Sequence, residues 1–213
     1  MAIYSFVDAR AQLKARTGHR TDLTDTDFDK FLNQAQLVLA TNVKGLDVFD
    51  SFASPLLIPA NATTVTIGVG GFNLTNFWAV ESMRNLTIGQ FMSRGGWNEL
   101  SRLTTVPEGP QLRWLRRFNQ FWFFTKQATV TTQVSINFRR LPVLGTLETP
   151  DEWFEHLLNI ASIYVYPTIG RNKERDVLFQ RLPQNLQLAV VNPTTPSMWE
   201  SVNDENLSFY AER

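Results

Sequence analysis

The apolar positions along the chain change period twice. Phe28, Phe31, Leu32, Ala35, Val38 and Leu39 recur at three- and four-residue spacing, which is one face of a helix. A shorter stripe, Phe6, Ala9 and Leu13, precedes it between Ser5 and Gly18. Ser5 with Asp8, and Thr24 with Asp27, have the spacing of a capping box, in which a hydroxyl and an acid satisfy the free N–H groups of a helix start. From Leu46 the helical period disappears and Gly and Pro punctuate the chain. Between Val130 and Phe138 alternation is strict: Val130, Thr132, Val134, Ile136 and Phe138 fall on one face, and Thr131, Gln133, Ser135 and Asn137 on the other. Successive strand side chains point to opposite faces, so this is a strand with one wet side. Shorter β-like runs are predicted at Leu56–Ile58, Thr63–Val69, Phe77–Met83, Leu86–Ile88, Leu112–Phe118 and Phe121–Thr125, with hairpin turns at Asn119-Gln120 and at Lys126-Gln127-Ala128. The helical period returns at Phe154, Leu157, Leu158, Ala161 and Val165, opened by Thr149-Pro150-Asp151-Glu152. A last stripe, Leu178, Leu182, Leu186 and Ala189, is interrupted by Pro183 and predicts two short helices or a kinked one.

This order predicts an α+β fold. Helices from residues 1–45 and 143–191 form an antiparallel bundle, residues 46–142 form an inserted antiparallel β module, and residues 192–213 form an extended C-terminal tail. The tail has two prolines and no core period, yet it holds Met198, Trp199, Val202, Leu207, Phe209 and Tyr210. Large apolar groups in such a segment need a surface to cover. Two surfaces qualify: the chain's own helices or a neighbouring chain.

Composition narrows the chemistry. The chain has 213 residues and no cysteine, so disulfides, zinc–thiolate sites and cysteine nucleophiles are excluded. The two histidines, His19 and His156, belong to no ligand-spaced set, and solvated or capping roles are expected for both. Gly68-Val69-Gly70-Gly71 lacks the third glycine of a dinucleotide loop and reads as a turn. The acids at Asp25, Asp27 and Asp29, and at Asp151, Glu152 and Glu155, lie in first helical turns, where the helix dipole favours them. No catalytic residue, metal or cofactor is expected. The N-terminal residues lack the apolar core of a secretory signal, and no run approaches the ~18–20 apolar residues of a membrane span. A soluble intracellular product or a virion component is expected, with no membrane partner.

Charge changes the picture more. Net charge is zero, but residues 84–140 hold nine basic side chains against two acids, a net of +7. Residues 192–213 carry −3. Arginines and aromatics interleave in RWLRRFNQFWFF. Arg113, Arg116, Arg117, Arg139 and Arg140 are therefore candidates for a DNA-facing surface or a subunit interface, with an ordinary solvated sheet face as the equal alternative. In the tail, Trp199, Leu207, Phe209 and Tyr210 are candidate docking anchors.

The succession of these elements resembles the head-to-tail adaptor (connector) proteins of tailed phages. The resemblance runs through Arg16-Thr17-Gly18, Phe31-Leu32-Asn33-Gln34-Ala35, Arg140-Leu141-Pro142, Glu148-Thr149-Pro150-Asp151-Glu152-Trp153, and the helix with Ala161 and Tyr164. It covers about residues 5–190 in order and spacing, and no single motif in it is diagnostic. The segment from Phe72 to Gly96 is longer and richer in Gly and Asn than the family pattern. The resemblance implies a structural virion neck protein and not an enzyme. It implies a homo-oligomeric ring, usually twelve-fold, that docks on the portal protein, extends the channel for packaged DNA, and supports the next tail component. The alternatives are another phage tail or neck structural component, or a nucleic-acid-binding module.

Overall fold

The computed structural model describes residues 4–43 and 46–192. Within them the chain separates into two compact units. Residues 4–43, 46–49 and 141–192 form a helical unit, and Asp50–Arg140 forms a sheet unit.

In the helical unit, α1 (Phe6–Thr17) and α2 (Asp25–Asn42) both begin with a complete capping box. The Ser5 and Thr24 hydroxyls accept from the Asp8 and Asp27 backbone N–H, and each aspartate accepts from its cap's N–H in return. Gly18 ends α1 in the left-handed region at φ 86°, where a side chain would clash. After the connector from Leu141, a single 3-10 turn at Asp151–Trp153 leads into α4 (Phe154–Thr168). The helices α5 (Asn172–Arg181) and α6 (Gln184–Val191) follow, broken at Leu182-Pro183 because proline lacks the N–H that would continue the first. Pro167 sits in the last turn of α4 without ending it. The core gathers Phe28, Leu32, Leu39, Leu157, Leu158, Ala161 and Leu186. Each fully buried Leu or Phe there stabilises the unit by about 1.5–3 kcal/mol. Arg16 ties α1 to α4 through Glu155 at 2.5 Å and Asn159 at 2.8 Å.

The sheet unit holds β1 (Asp50–Ile58), β2 (Thr64–Thr66), β3 (Phe77–Asn85), β4 (Gln90–Arg94), the one-turn helix α3 (Trp97–Leu100), β5 (Arg113–Arg117), β6 (Gln120–Phe123) and β7 (Thr132–Arg140). The seven strands form one curled sheet in the order β1-β7-β3-β4-β5-β6-β2. It closes over its own core, which includes Ile58, Phe72, Met83, Met92, Trp114, Phe121, Phe123, Val134 and Ile136.

The fold remains α+β, with six α-helices among the described residues, but the expected antiparallel bundle with an inserted antiparallel module is corrected on two counts. The sheet is mixed, since β4 and β5 run parallel at Ser93↔Arg113 and Arg94↔Trp114. It is also a major element with an independent core, not an appendage of a bundle. The parallel pair arises because residues 95–112 leave the end of β4 and run through α3 and a long loop, so that β5 sets off in the same direction as β4, which a hairpin cannot arrange.

Smaller corrections follow. Leu86–Ile88 forms the turn of the β3–β4 hairpin, and β4 lies just beyond it. The β5–β6 turn is Phe118-Asn119, not Asn119-Gln120. The chain after β6 crosses to β7, which pairs with β1 and β3, so no hairpin forms around Gln127. No helix among the described residues is long and apolar enough to cross a membrane. The expected tail, residues 192–213, lies outside the described residues except for Asn192.

Candidate interaction surface on the sheet unit

Whereas Arg139 and Arg140 lie at the end of β7, Arg113, Arg116, Arg117 and the aromatics interleaved with them meet on the β5–β6 hairpin. Strand alternation divides them between its faces. Trp114 and Arg116 of β5, with Phe121 and Phe123 of β6, point into the sheet core. Arg113, Leu115 and Arg117 point outward, beside Trp122 and Phe124. An outward row of Leu, Trp and Phe cannot face water cheaply, and α3 covers it. Leu100 packs on Leu115 and Phe124, and the Trp97 ring meets the Trp122 ring edge-on at 5.9 Å. Gly95 makes this approach possible, because a Cβ there would lie 2.3 Å from the Phe124 ring. The short helix is fixed at its start by Glu99, which accepts from the Gly96 backbone N–H at 3.0 Å. That bond, and behind it the Arg113 guanidinium, holds the Glu99 carboxyl below its ordinary range.

The five candidate arginines have different fates. Arg139 is fully buried and pairs with Asp50 at 2.5 Å, directly across the β1–β7 register. Its charge is used inside the unit, and it offers nothing to a phosphate. Arg116 is half-buried; it donates to the Trp78 carbonyl and lies 4.7 Å over the Phe77 ring. Arg140 is half-buried at the end of β7. Arg113 is exposed but engaged, 2.5 Å from Glu99 and 4.7 Å over Phe124. Arg117 is exposed, and it has no acidic partner among the described residues. Its guanidinium stacks 4.0 Å from the Trp97 ring and 5.5 Å from Phe118. Such stacking holds a cation in place while leaving its N–H groups free.

Phe118 completes the surface. It occupies the hairpin turn at φ 53° and is 86% exposed. A bulky side chain in the left-handed region is uncommon, and the conformation costs about 1–2 kcal/mol. The Phe118 ring is therefore held in water at a turn where glycine or asparagine would sit at ease. Strand alternation groups Phe118 with Leu112 and Trp114 on the core face, but the residue stands in the turn and is exposed, and Trp97 lies on α3, outside the strands. The Gly96-to-Glu99 spacing was a legible signal for a helix start, whereas nothing in the sequence marked Phe118 as a turn residue.

The remaining candidates do not join this surface. His19 is exposed in a loop at φ 48°. His156 is half-buried beside the Trp153 ring at 5.3 Å. Among the described residues no group of three or more His, Cys, Asp or Glu is placed to hold a metal ion. Trp199, Leu207, Phe209 and Tyr210 lie outside the described residues. No family model matches the sequence, and no curated protein matches it.

Proposed function

We propose that this chain is a structural protein of a phage virion neck: a head-to-tail adaptor that forms a homo-oligomeric ring, docks on the portal protein, and supports attachment of the next tail component. The observation that carries the interaction role is Phe118, an 86%-exposed aromatic in a costly backbone conformation beside the stacked Arg117, which has no acidic partner among the described residues. Aromatics and arginine are the side chains that dominate protein interfaces. Further large apolar groups are exposed, including Phe52 and Phe91 in the sheet unit and Leu144 in the helical unit. The assignment to a neck rests on the sequence resemblance. In this reading Trp199, Leu207, Phe209 and Tyr210 anchor the tail on the portal or on a neighbouring subunit.

The test is the mass of the full chain by analytical ultracentrifugation at rising concentration, alone and with the portal protein of the same virus, followed by electron microscopy of the assemblies. Closed rings, free or seated on the portal, support the reading. A chain that stays monomeric in both conditions overturns it.

One observation favours a second reading, a nucleic-acid-binding module. The Trp97–Arg117–Phe118 array has the components of a base-stacking platform. Fluorescence anisotropy with single-stranded and duplex oligonucleotides at two salt concentrations separates the two, because phosphate-driven binding weakens steeply with salt. Of the five candidate arginines only Arg117 is both exposed and, among the described residues, without an acidic partner, and phosphate neutralisation draws on several.

A further inference from the structure

We infer that the Arg117–Phe118 tip of one copy docks into an acidic groove on the helical unit of the next copy, making a head-to-tail contact between subunits. The inference rests on the ring reading above and names the surfaces that would build the ring. The groove has a volume of about 460 Å³ and is lined by Val48, Leu147, Thr149 and Pro150, with Glu148, Asp151 and Glu152 among its walls. Its lining matches the tip in two respects. Val48, Leu147 and Pro150 give an apolar surface for one aromatic ring, and Val48 is 38% exposed. The acids oppose the tip's charge. Glu152 is exposed and has no ion pair among the described residues, as Arg117 has none on the tip. Two charges of opposite sign with no ion pair among the described residues, each beside an exposed apolar group, are complementary in the sense that sets register and partner choice at interfaces.

The groove is also held in shape before anything binds. The buried Gln36 side chain accepts from the Glu148 N–H at 2.9 Å and the Thr149 N–H at 3.3 Å, and donates to the Thr146 carbonyl at 3.0 Å. The Glu148 carboxylate accepts from the Val143 N–H at 2.9 Å. A groove already ordered in the free chain loses little entropy on docking. Because tip and groove are different surfaces, the contact is heterologous: an open assembly has one free tip at one end and one free groove at the other until it closes. The tip is then the hot spot of a larger subunit face, not the whole of it.

Charge exchange tests the pairing. Sedimentation of Arg117→Glu should show self-association, alone or on portal, weakened at least about tenfold, and the second change Glu152→Arg should recover most of it. Phe118→Gly removes the ring where glycine fits the backbone, so it should keep the fold by circular dichroism and still assemble poorly. Benzoylphenylalanine introduced at position 118 should cross-link, on irradiation, to a peptide containing Val48 or residues 147–152 of another copy. Rings that form with normal affinity from Arg117→Glu, or cross-links only to other surfaces, overturn the inference while leaving the ring reading intact. A wild-type chain that never associates overturns both. Loss of duplex DNA binding without loss of assembly in Arg117→Glu assigns the tip to nucleic acid and also overturns it.

Discussion

Gln36 is 1% exposed, and its amide meets Thr146, Glu148 and Thr149, which lie 110 to 113 residues further along the chain. A glutamine in the apolar stripe of α2 is unexpected from the helical period alone, since it occupies a core position beside Ala35 and Leu39. The structure explains it: the connector that returns to the helical unit brings buried backbone N–H and C=O groups with no helix or strand to satisfy them, and one amide supplies both an acceptor and a donor. Gln36→Leu should therefore be costly although it is apolar and similar in size. It strands the Thr149 N–H and hydroxyl in a buried site, a loss of about 2–3 kcal/mol. Urea titration should show the lower midpoint, and hydrogen exchange should show faster exchange across residues 146–149. If stability is unchanged, water or a neighbouring group replaces the amide and the latch is unimportant.

At the scale of elements, α3 and the β5–β6 hairpin depend on one another. The helix is four residues long, far too short to persist alone, and it exists because it covers Leu115, Trp122 and Phe124. Gly95→Ala puts a methyl group into the Phe124 ring and should cost about 1–3 kcal/mol through overpacking. Phe124→Leu in the same chain should return part of that loss. The fluorescence of Trp97 and Trp122 reports the displacement, and an unaltered spectrum with unaltered stability counts against the packing described. The same pair shows what a sequence makes legible. The long helices were readable from their stripes and capping boxes, and β7 from its alternation, because in these segments one face meets one core. The β5–β6 hairpin is covered on both faces, so alternation between buried and exposed fails at Leu115 and Trp122. Strand direction has no local signature at all, which is why the parallel β4–β5 pair, and with it the mixed sheet, escaped prediction. The basic patch was legible as charge. Its division into the buried Arg139, the engaged Arg113 and the stacked, exposed Arg117 was not, because ion pairs such as Asp50–Arg139 join residues far apart in the chain.

For the whole molecule, the two units differ in how far their carboxylates are committed to hydrogen bonds. In the helical unit four are held below the ordinary carboxylate range. The Ser5 hydroxyl does this for Asp8, Arg20 for Asp22, Lys14 and then Arg10 for Asp25, and the Thr24 hydroxyl for Asp27. In the sheet unit the Gly96 backbone N–H does the same for Glu99. A carboxyl whose native pKa is depressed stabilises the fold fully above its unfolded value of about 4, and that contribution is lost as pH falls through the lower native value. Protonation also removes the acid half of both capping boxes, at the starts of α1 and α2. All five groups lie at or near the surface, so each contribution is small, but three of them, Asp8, Asp25 and Asp27, act on the same two helices. Acid should consequently loosen the molecule unevenly. Between pH 4 and pH 2.5, hydrogen exchange corrected for intrinsic rates should accelerate across 6–42 before it does across β7. Equal acceleration in both segments would mean that the units unfold as one and that these hydrogen bonds do not set the acid limit. In the proposed ring the same order has a further consequence. The groove segment 146–149 hangs on Gln36 of α2, so a loosening of α2 releases subunit contacts at a pH where the sheet unit is still folded. Sedimentation of assembled rings over that range should show dissociation before the β signal in circular dichroism is lost.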